Sequence, residues 1–182
     1  MVPPPVLTLR DGVAGDAETV EAVHWAGLEA AYRDRVAGWP ISPRDRESRV
    51  ATWRAWLADP DVVSIVGTVE GRIMGFCTVR ASADDDVDGR AVAEMPTLYV
   101  HPEAWHRGYG RMLCRESLVR ARQRGFVTLT LWVVDVNDRA RAFYTEFGFA
   151  PDGAMRVVVE SPKTVEVHRF RMDLHEYLDP IR

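Results

Sequence analysis

Apolar residues recur along the chain with two periods, and each change of period marks a predicted boundary. After a short apolar stretch over residues 6–10, typical of a strand, residues 15–37 place apolar side chains every three or four positions, which predicts a helix. A second helical pattern runs to the sequence ADPD. Ser42 is its predicted N-cap and Pro43 its first residue, with Asp45 completing a pattern similar to a capping box. Two helices therefore follow the first strand.

The rest of the chain alternates between apolar, β-branched stretches and two further helical patterns. The predicted strands cover residues 61–69, 72–80, 90–100, 126–134, 154–161 and 164–174, and the predicted helices cover residues 108–125 and 138–148. Strands joined by short turns, as at Glu70–Gly71, predict antiparallel pairs, whereas a strand, a crossover helix and a strand predict a parallel pair. We therefore expect one domain over residues 1–182, of the α/β class. Its sheet should be mixed, mostly antiparallel and twisted, with a central parallel βαβ crossover.

Composition narrows the possible classes of function. The chain has 182 residues, of which 47% are hydrophobic, and a formal net charge of −4. Without overall positive charge, it is not expected to bind nucleic acid as its main partner. Cys77 and Cys114 lie in apolar segments without metal-ligand spacing, as is usual for a protein of a reducing compartment. Because no apolar run reaches 18 residues and the N-terminus lacks a signal-peptide pattern, we expect a cytoplasmic protein with no membrane partner.

The segment LYVHPEAWHRGYGRML, residues 98–113, places two glycines where an apolar strand turns into a basic helix. Gly108 and Gly110 lack a Cβ, so the backbone can approach a bulky ligand closely and take positive φ where needed. The first N–H groups of a helix lack intrahelical partners and carry partial positive charge, which favours an anion, most naturally phosphate. Residues 101–125 hold six arginines against two glutamates, which supports this interpretation. A tight turn and a solvated basic face are the alternative, and the common phosphate-loop motifs do not occur in the sequence.

A second segment, NDRARAFYTEFGF, follows an apolar strand directly. It contributes Asn137, Ala140, Tyr144, Gly148 and Phe149. Together with residues 98–113, this segment resembles the two signature motifs of the GCN5-related N-acetyltransferase (GNAT) family. The hairpin EGRIMGF, the strand before residue 98 and the closing hairpin match in order, so the resemblance covers about residues 6–174. It is most specific over residues 94–149.

The resemblance implies acetyl-CoA as a cosubstrate and no metal ion. It places the coenzyme pyrophosphate on the backbone amides of His106, Arg107, Gly108, Tyr109, Gly110 and Arg111. It also implies that the pantetheine arm pairs like an extra strand with Leu98, Tyr99 and Val100. In addition, it places Asn137 on that arm and Tyr144 near the sulfur. One position departs from the family pattern, because Trp105 stands where the family has Gln or Arg; we expect a reshaped loop that still binds pyrophosphate, since backbone amides form most of the site.

Acetyl transfer from a thioester to an amine sets the chemical requirements of such a site. The amine must lose a proton, because an amine with a pKa of about 10.4 is protonated at neutral pH. Glu94 is a candidate base, since strand alternation places it on the side of Leu98 and Val100, and some family members keep a glutamate there. The alternative is a polar residue at a strand start, with a water chain as the proton route. The Val100 N–H is a candidate donor to the oxyanion.

Two of the remaining candidates also have a structural alternative. Tyr144 can protonate the departing thiolate, or it can be an aromatic residue packed in the core. Asn137 can hold the coenzyme, or it can cap the helix that directly follows it. Pro96 cannot donate to a sheet, so it predicts a bulge or an edge, and such irregularity suits a strand that separates to admit a coenzyme.

Two surface features bear on the amine acceptor. The loop DDDVDG, residues 84–89, imitates the start of an EF-hand, but Met95 stands at position twelve, so calcium is not expected. We expect a solvated loop, with attraction of a cationic acceptor as the alternative. Four tryptophans lie in the N-terminal helices, where core packing is expected and the resemblance implies that one or two line the acceptor pocket. They are Trp25, Trp39, Trp53 and Trp56.

Two hypotheses from different classes follow. The first is an acetyl-CoA-dependent N-acetyltransferase that moves the acetyl group to a primary amine of a small molecule or peptide by direct attack in a ternary complex. The second is a non-catalytic acyl-CoA-binding sensor or interaction module with the same fold; the presence of both Glu94 and Tyr144 favours the enzyme. A nucleotide-binding regulator is disfavoured by the missing phosphate-loop lysine. A homodimer through the closing hairpin is a further expectation, and the sequence names no acceptor.

Overall fold

A computed structural model of the protein describes residues 6–35, 45–160 and 163–178. In chain order its strands are β1 (Thr8–Asp11), β2 (Val63–Val69), β3 (Arg72–Ala81), β4 (Val92–Val100), β5 (Thr128–Val134), β6 (Ala150–Glu160) and β7 (Lys163–Asp173). Its helices are α1 (Ala17–Tyr32), α2 (Arg46–Ala58), α3 (Tyr109–Gln123), α4 (Asp138–Phe147) and α5 (Leu174–Leu178), with 3-10 turns at Ala14–Asp16 and Pro102–Ala104. α5 is the one helix in this part of the chain that the sequence did not predict.

All seven described strands form one sheet, in the order β1-β2-β3-β4-β5-β7-β6. β4 and β5 pair in parallel and are joined by α3, whereas the other described pairs are antiparallel. The prediction of a mixed, mostly antiparallel sheet with a central parallel crossover is therefore confirmed. β7 pairs with β5, so the closing hairpin extends the sheet and leaves β6 at its edge.

The sheet separates two apolar layers. On one face, α3 and α4 pack through Leu113, Leu118 and Phe147 against alternate residues of the central strands, and Leu174 of α5 joins the same cluster. On the other face, α1 and α2 pack through Val20, Val23, Val50, Trp53 and Leu57 against Val66, Ile73 and Phe76. Each strand places alternate residues in opposite layers, which is why the strand sequences are apolar almost throughout.

Local sequence signals account for several element boundaries. Glu70 and Gly71 both have positive φ, at 49° and 79°, as the tight turn of the β2–β3 hairpin requires. Asp45 has an extended backbone and accepts a hydrogen bond from the Ser48 N–H at 2.8 Å. Asp45 is therefore the N-cap of α2, and the prediction that it lies inside the first turn is wrong. The predicted helix start at Ser42 and Pro43 lies outside the described residues, as does Trp39.

The central strand β4 is irregular at Pro96. Thr97 lies opposite Thr78 and Glu94 lies opposite Arg80, so a three-residue step of β4 faces a two-residue step of β3. The extra residue is a β-bulge, as the sequence predicted from the missing N–H of Pro96. A bulge changes which face the residues on either side of it share, with consequences for Glu94 described below.

Candidate functional site

The parallel pairing of β4 with β5 ends early and leaves a gap in the sheet. Val92, Ala93 and Glu94 pair with Thr128, Leu129 and Thr130, and no later residue of β4 pairs with β5 in the described chain. His101 donates to the Met74 carbonyl on β3 at 2.8 Å. Because backbone groups alternate in direction along a strand, the N–H and C=O groups of Leu98 and Val100 point away from β3 and into the gap. The gap thus has one edge of backbone groups that pair with no strand in the described chain, of which the Val100 carbonyl accepts a side-chain hydrogen bond from Trp105.

The glycine turn brings the start of α3 to this gap. His106 and Gly108 have positive φ, at 61° and 80°, and Gly108 is the N-cap of α3. Without a side chain, Gly108 cannot cap the helix, and the N–H groups of the first turn have no intrahelical acceptors. Gly110 lies inside that first turn and has no positive φ, so of the two glycines Gly108 uses this conformational freedom. A Cβ at Gly110 would lie 3.7 Å from the Phe143 ring, within the space between the helices.

Asn137 occupies the position between β5 and α4. Its side-chain oxygen accepts from the Ala140 N–H at 3.1 Å, so it caps α4 as the structural alternative predicted. Its amide nitrogen donates to the Tyr32 hydroxyl at 2.9 Å, which ties α4 to the end of α1 across the gap. The two hydrogen bonds use both the oxygen and the nitrogen of the side-chain amide, and they fix Asn137 at the wall of the gap.

Tyr144 lies on the inner side of α4 and is buried. Its ring packs edge-on against Phe143 and Phe149, with centroids 5.1 and 5.6 Å away. Burial raises the pKa of the Tyr144 phenol well above its usual value, with the nearby Cys114 thiol adding to the effect. The hydroxyl therefore stays protonated throughout the neutral range and can serve as a proton donor.

These elements enclose a cleft of about 420 Å³. Ten of the twelve predicted site residues line it: Leu98, Tyr99, Val100, His106, Gly108, Tyr109, Gly110, Arg111, Asn137 and Tyr144. Arg107 and Glu94 do not. The cleft is also lined by residues that sequence reasoning missed, namely Gly27, Ala30, Ala31, Arg35, Ala104, Trp105, Arg139, Ala140 and Phe143. Since α1 lies on one face of the sheet and α3 and α4 on the other, the cleft passes through the gap.

On the α1 side of the cleft, a run of small residues is the sequence signal that the prediction of site residues did not use. A Cβ at Gly27 would lie 2.8 Å from the Tyr99 ring, so only glycine admits this packing. Ala30 and Ala31 continue the same narrow stretch toward Arg35. The sequence GLEAA shows this run of small residues, but its helical period is equally typical of ordinary core packing.

Trp105 takes a defined place in the reshaped loop. Its indole N–H donates to the Val100 carbonyl at 2.7 Å, and the Arg139 guanidinium lies 3.6 Å from the centre of its ring. Burial lowers the pKa of Arg139, as does the charge of Arg35 to a smaller extent. A cation therefore lies over an aromatic ring at the mouth of the cleft, where the family pattern has Gln or Arg.

The structure corrects the predicted orientation of Glu94. Glu94 lies directly opposite Arg80, on the face shared by Thr97 and Tyr99, whereas Leu98 lies opposite Cys77 on the other face. The bulge at Pro96 is the physical reason, because one extra residue reverses the alternation between Glu94 and Leu98. Glu94 therefore points to the α1–α2 face, away from the side chains of Leu98 and Val100.

The surroundings of Glu94 combine charge with aromatic rings. Its carboxylate accepts from Arg80 Nη2 at 3.3 Å, and the Arg80 guanidinium lies 5.1 Å from the Trp56 ring. Nearby, Trp53 and His24 belong to an aromatic cluster that includes Phe76 and Tyr99. Burial lowers the pKa of His24 to about 4, with a smaller effect of the Arg49 charge. Trp53 thus belongs to the core of this face, and Trp56 is partly buried against it, beneath the Arg80 guanidinium.

The aspartate loop is held by ion pairs, and the expectation of a solvated loop is wrong for Asp84, whose side chain is 7% exposed, whereas Asp86 is paired but exposed. Both accept from the Arg169 guanidinium, which is 5% exposed and also donates to Asp152. Asp84 accepts in addition from the Trp132 indole N–H at 3.1 Å. These carboxylates are therefore already paired, and the loop is fixed over β5 and β7.

One surface group combines possible metal ligands. Asp135, Glu166 and His168 offer ligand atoms within 4.8 Å of one another. The carboxylates are exposed, and Asp135 also accepts from Arg141 at 2.9 Å, so a surface charge network accounts for the group. The expectation that the protein uses no metal stays a prediction. Within the described residues, no helix combines the length and apolarity needed to cross a bilayer.

Comparison with known proteins identifies the family to which the chain belongs. Residues 25–149 match the model of the acetyltransferase (GNAT) family, and the chain belongs to that family of acyltransferases. A mycothiol acetyltransferase from Nocardia farcinica is 27% identical over 153 residues, covering 81% of this chain and 48% of the relative. An uncharacterised N-acetyltransferase from Methanocaldococcus jannaschii is 30% identical over 106 residues, covering 57% of this chain and 47% of the relative. The chain thus spans about half the length of these curated relatives.

Solved structures share the fold at low identity. The PaiA N-acetyltransferase from Thermoplasma acidophilum in complex with coenzyme A superposes with a TM-score of 0.69 at 17% identity, covering 92% of this chain and 99% of that chain. An N-acetyltransferase from Staphylococcus aureus Mu50 gives a TM-score of 0.70 at 17% identity, covering 93% and 99%. These structural similarities extend over more of the chain than residues 25–149.

Proposed function

We propose that the protein is an acetyl-CoA-dependent N-acetyltransferase, which moves the acetyl group to a primary amine of a small molecule by direct attack in a ternary complex. The observation that carries the proposal is the gap between β4 and β5. It exposes the backbone groups of Leu98 and Val100, runs to the start of α3, and contains the Tyr144 side chain. A ligand with an extended amide-bearing arm and a phosphate end matches these two features together.

The residues of the cleft fit such a coenzyme. The N–H groups at the start of α3, a helix end that carries partial positive charge, suit a pyrophosphate, and the positive φ of Gly108 sets the direction of the first turn. Arg35, Arg111 and Arg139 line the same cleft and add positive charge. Leu98 and Val100 offer the pattern of a sheet edge, which pairs with amide groups of an extended chain. The complex of PaiA with coenzyme A supports the same assignment for this fold.

Acetyl-CoA supplies the activated thioester, and the protein supplies positioning and proton transfer. The Val100 N–H faces the gap and is the donor that we assign to the developing oxyanion. Tyr144, kept protonated by burial, donates a proton to the departing thiolate. Glu94 accepts the proton of the attacking ammonium from the α1–α2 face, through water, since Glu94 does not line the cleft itself.

The acceptor enters from the α1–α2 face, opposite the helix that binds the pyrophosphate. On that face, the small side chains of Ala30 and Ala31 line the cleft, and Gly27 lets the Tyr99 ring pack closely against α1. Several relatives are named mycothiol acetyltransferases, which favours a small-molecule acceptor over a peptide. The paired state of Asp84 and Asp86 argues against a role of that loop in attracting cationic acceptors.

Coenzyme binding is the first test. Acetyl-CoA at about 100 times its dissociation constant should stabilise the protein by about 2.7 kcal/mol. For a domain of this size, the melting temperature should rise by about 5–11 °C. ATP at the same concentration is the control, and a nucleotide-binding regulator predicts that ATP gives the larger shift. A protein whose melting temperature is unchanged by any acyl-CoA is neither an acetyltransferase nor an acyl-CoA sensor.

Release of free thiol across a panel of amines separates the enzyme from the non-catalytic module. The enzyme predicts acceptor-dependent thiol release, whereas a sensor binds acetyl-CoA without turnover. Glu94→Gln should reduce the rate most at low pH, and the defect should shrink as pH rises because more of the amine is already neutral. A Glu94→Gln defect that is constant from about pH 6 to 9.5 would assign proton removal to water alone.

A further inference from the structure

A polar row crosses the sheet on the α1–α2 face, the face from which we propose that the acceptor enters. Glu94 lies opposite Arg80 on β3 and beside Thr130 on β5, and Thr130 lies opposite Arg171 on β7. Paired residues of neighbouring strands lie side by side on one face, so the four side chains form one row with an arginine at each end. Glu94 and Thr130 are buried, whereas the Arg80 side chain is 37% exposed and Arg171 is exposed. The charged ends of the row are thus open to a ligand.

The hydrogen-bonding capacity of Arg80 is largely unused. Its Nη2 donates to Glu94 at 3.3 Å, and its Nε is buried without an acceptor among the described residues. Arg169, on the same face, donates through Nε, Nη1 and Nη2 to three aspartates. A guanidinium has five N–H donors in a fixed planar fork. Arg80 therefore has N–H donors available for a further anion, whereas Arg169 already donates four hydrogen bonds to carboxylates.

The residues around Arg80 hold its guanidinium without competing for it. The Trp56 ring lies 5.1 Å from the guanidinium carbon and supports one face of the group. Thr78 and Thr97, the next pair along the sheet, bond to each other at 2.7 Å, so they do not need Arg80 as a partner. A planar anion that accepts two parallel N–H bonds matches this arrangement, and a carboxylate has that geometry.

We propose that the acceptor carries a carboxylate in addition to its amine, and that Arg80 binds this carboxylate. The inference rests on the proposed acetyl transfer, because it names the class of acceptor used by the same site. Arg80 and Glu94 then have complementary tasks, since the cation orients the acid group of the acceptor and the carboxylate of Glu94 faces its ammonium. Arg171 adds positive charge at the far end of the row.

Matched pairs of acceptors test this directly. Glycine, 4-aminobutanoate and 6-aminohexanoate are compared with their carboxamides by thiol release and by calorimetric titration into the protein saturated with CoA. The series varies the distance between amine and acid. The amides lack the negative charge and, in the shortest member, also have a less basic amine, so the rates are compared per neutral amine and the binding titration serves as the second readout. We expect the best acid to exceed its amide by about tenfold or more in kcat/KM, as is typical of a charge-assisted, bidentate pair. The ratio of acid to amide within one variant cancels changes in stability or in the protonation of Glu94.

Variants assign the preference to Arg80. Arg80→Gln should lower the acid-to-amide ratio to about one, and Arg80→Lys should retain part of it because the charge remains without the fork. Arg156→Gln is the matched control, since Arg156 is 47% exposed and also pairs with one carboxylate, Asp84. The acid-to-amide ratio of Arg156→Gln should equal that of the parent protein.

Each other outcome overturns the inference. Amides that bind or react as well as the acids exclude a carboxylate site, and an Arg80→Gln variant that keeps the preference excludes Arg80 as its source. A parent protein that binds CoA but neither binds nor acetylates any acid of the series overturns the inference and leaves the proposed function standing. Failure to bind acetyl-CoA at all is a different result, because it overturns the proposed function itself.

Discussion

The two sides of the gap between β4 and β5 are built from different groups. On the side of α3, the groups to which we assign coenzyme binding are backbone amides and carbonyls, set by Gly108 and by the part of β4 that does not pair with β5. On the side of α1 and α2, they are charged side chains, chiefly Arg80 and Glu94. Backbone groups are positioned by the elements that contain them, whereas a buried charge depends on its partner. The first side should therefore tolerate changes of side chain, and the second should not.

The largest expected effect contrasts two arginines of the charged side. Arg169→Gln removes a cationic partner from Asp84 and Asp152, whose side chains are 7% and 10% exposed. Asp152 is then left without a cation in the described chain, whereas Asp84 keeps Arg156. Leaving a buried charge unpaired typically costs about 3–5 kcal/mol, which corresponds to a fall of about 6–20 °C in melting temperature. Arg80→Gln also leaves a buried carboxylate, Glu94, without its cation, but it removes one hydrogen bond of 3.3 Å where Arg169→Gln removes four, so its cost should be smaller, about 2–3 kcal/mol. Thermal and urea unfolding of both variants measure the difference.

Equal losses of stability in Arg169→Gln and Arg80→Gln would contradict the distinction between Arg169, whose donors are used, and Arg80, which has donors available. Arg156→Gln is again the control, since it removes one exposed partner of Asp84 and leaves Arg169 in place. Its loss should stay within about 1 kcal/mol.

The same contrast explains which parts of the molecule the sequence could predict. Gly108, Asn137 and Tyr144 follow their strands at short, regular distances, so the side built from backbone could be recognised from local patterns. The pairing of Arg169 with Asp84 and Asp86 spans more than 80 residues and leaves no local signal. The orientation of Glu94 could not be derived, because the position of a bulge near Pro96 was predictable but its effect on alternation depends on the register with β3. Backbone sites are local in sequence, and charge networks are not.

The second prediction concerns the one side chain that the coenzyme side requires for chemistry. Tyr144→Phe should lower kcat by about 10²-fold, the lower end for general acid catalysis, because a thiolate is already a fair leaving group. KM for acetyl-CoA and the thermal shift with acetyl-CoA should change little, since the phenyl ring still packs against Phe143 and Phe149. Steady-state kinetics at saturating acceptor measure both constants. A variant with parental kcat would show that Tyr144 only packs.

The third prediction uses pH to examine the charged side. The pKa of His24 is lowered from 6.5 to about 4 by burial, so the unfolded chain binds a proton more tightly than the native protein does. Stability should therefore fall as pH drops through the window from about 6.5 to 4, by an amount on the order of 1–3 kcal/mol. Above that window His24 is neutral in both states and contributes no pH dependence.

His24→Phe isolates this contribution from that of the carboxylates. Phenylalanine keeps the edge-on packing against Trp53 and Tyr99 and cannot be protonated. The difference in melting temperature between variant and parent should grow in favour of the variant as pH falls from 6.5 to 4. Parallel curves for the two proteins would show that His24 is accessible to solvent and that this face is more open than its packing indicates.

The smallest expected effect separates the two ends of α3. Gly108 and Gly125 both have positive φ, at 80° and 88°, and a Cβ at either would meet no atom within 4 Å. Gly108→Ala and Gly125→Ala should therefore cost the same backbone strain, about 1 kcal/mol, or about 2–4 °C in melting temperature. The two glycines differ in position, because Gly108 sets the direction of the first turn of α3 at the cleft, whereas Gly125 lies beyond the other end of the helix.

Gly108→Ala alone should weaken acetyl-CoA binding, by about tenfold if one charge-assisted hydrogen bond is lost. Titration of acetyl-CoA into both variants measures this, and an equal affinity for the two would mean that the glycine turn serves folding and not the coenzyme.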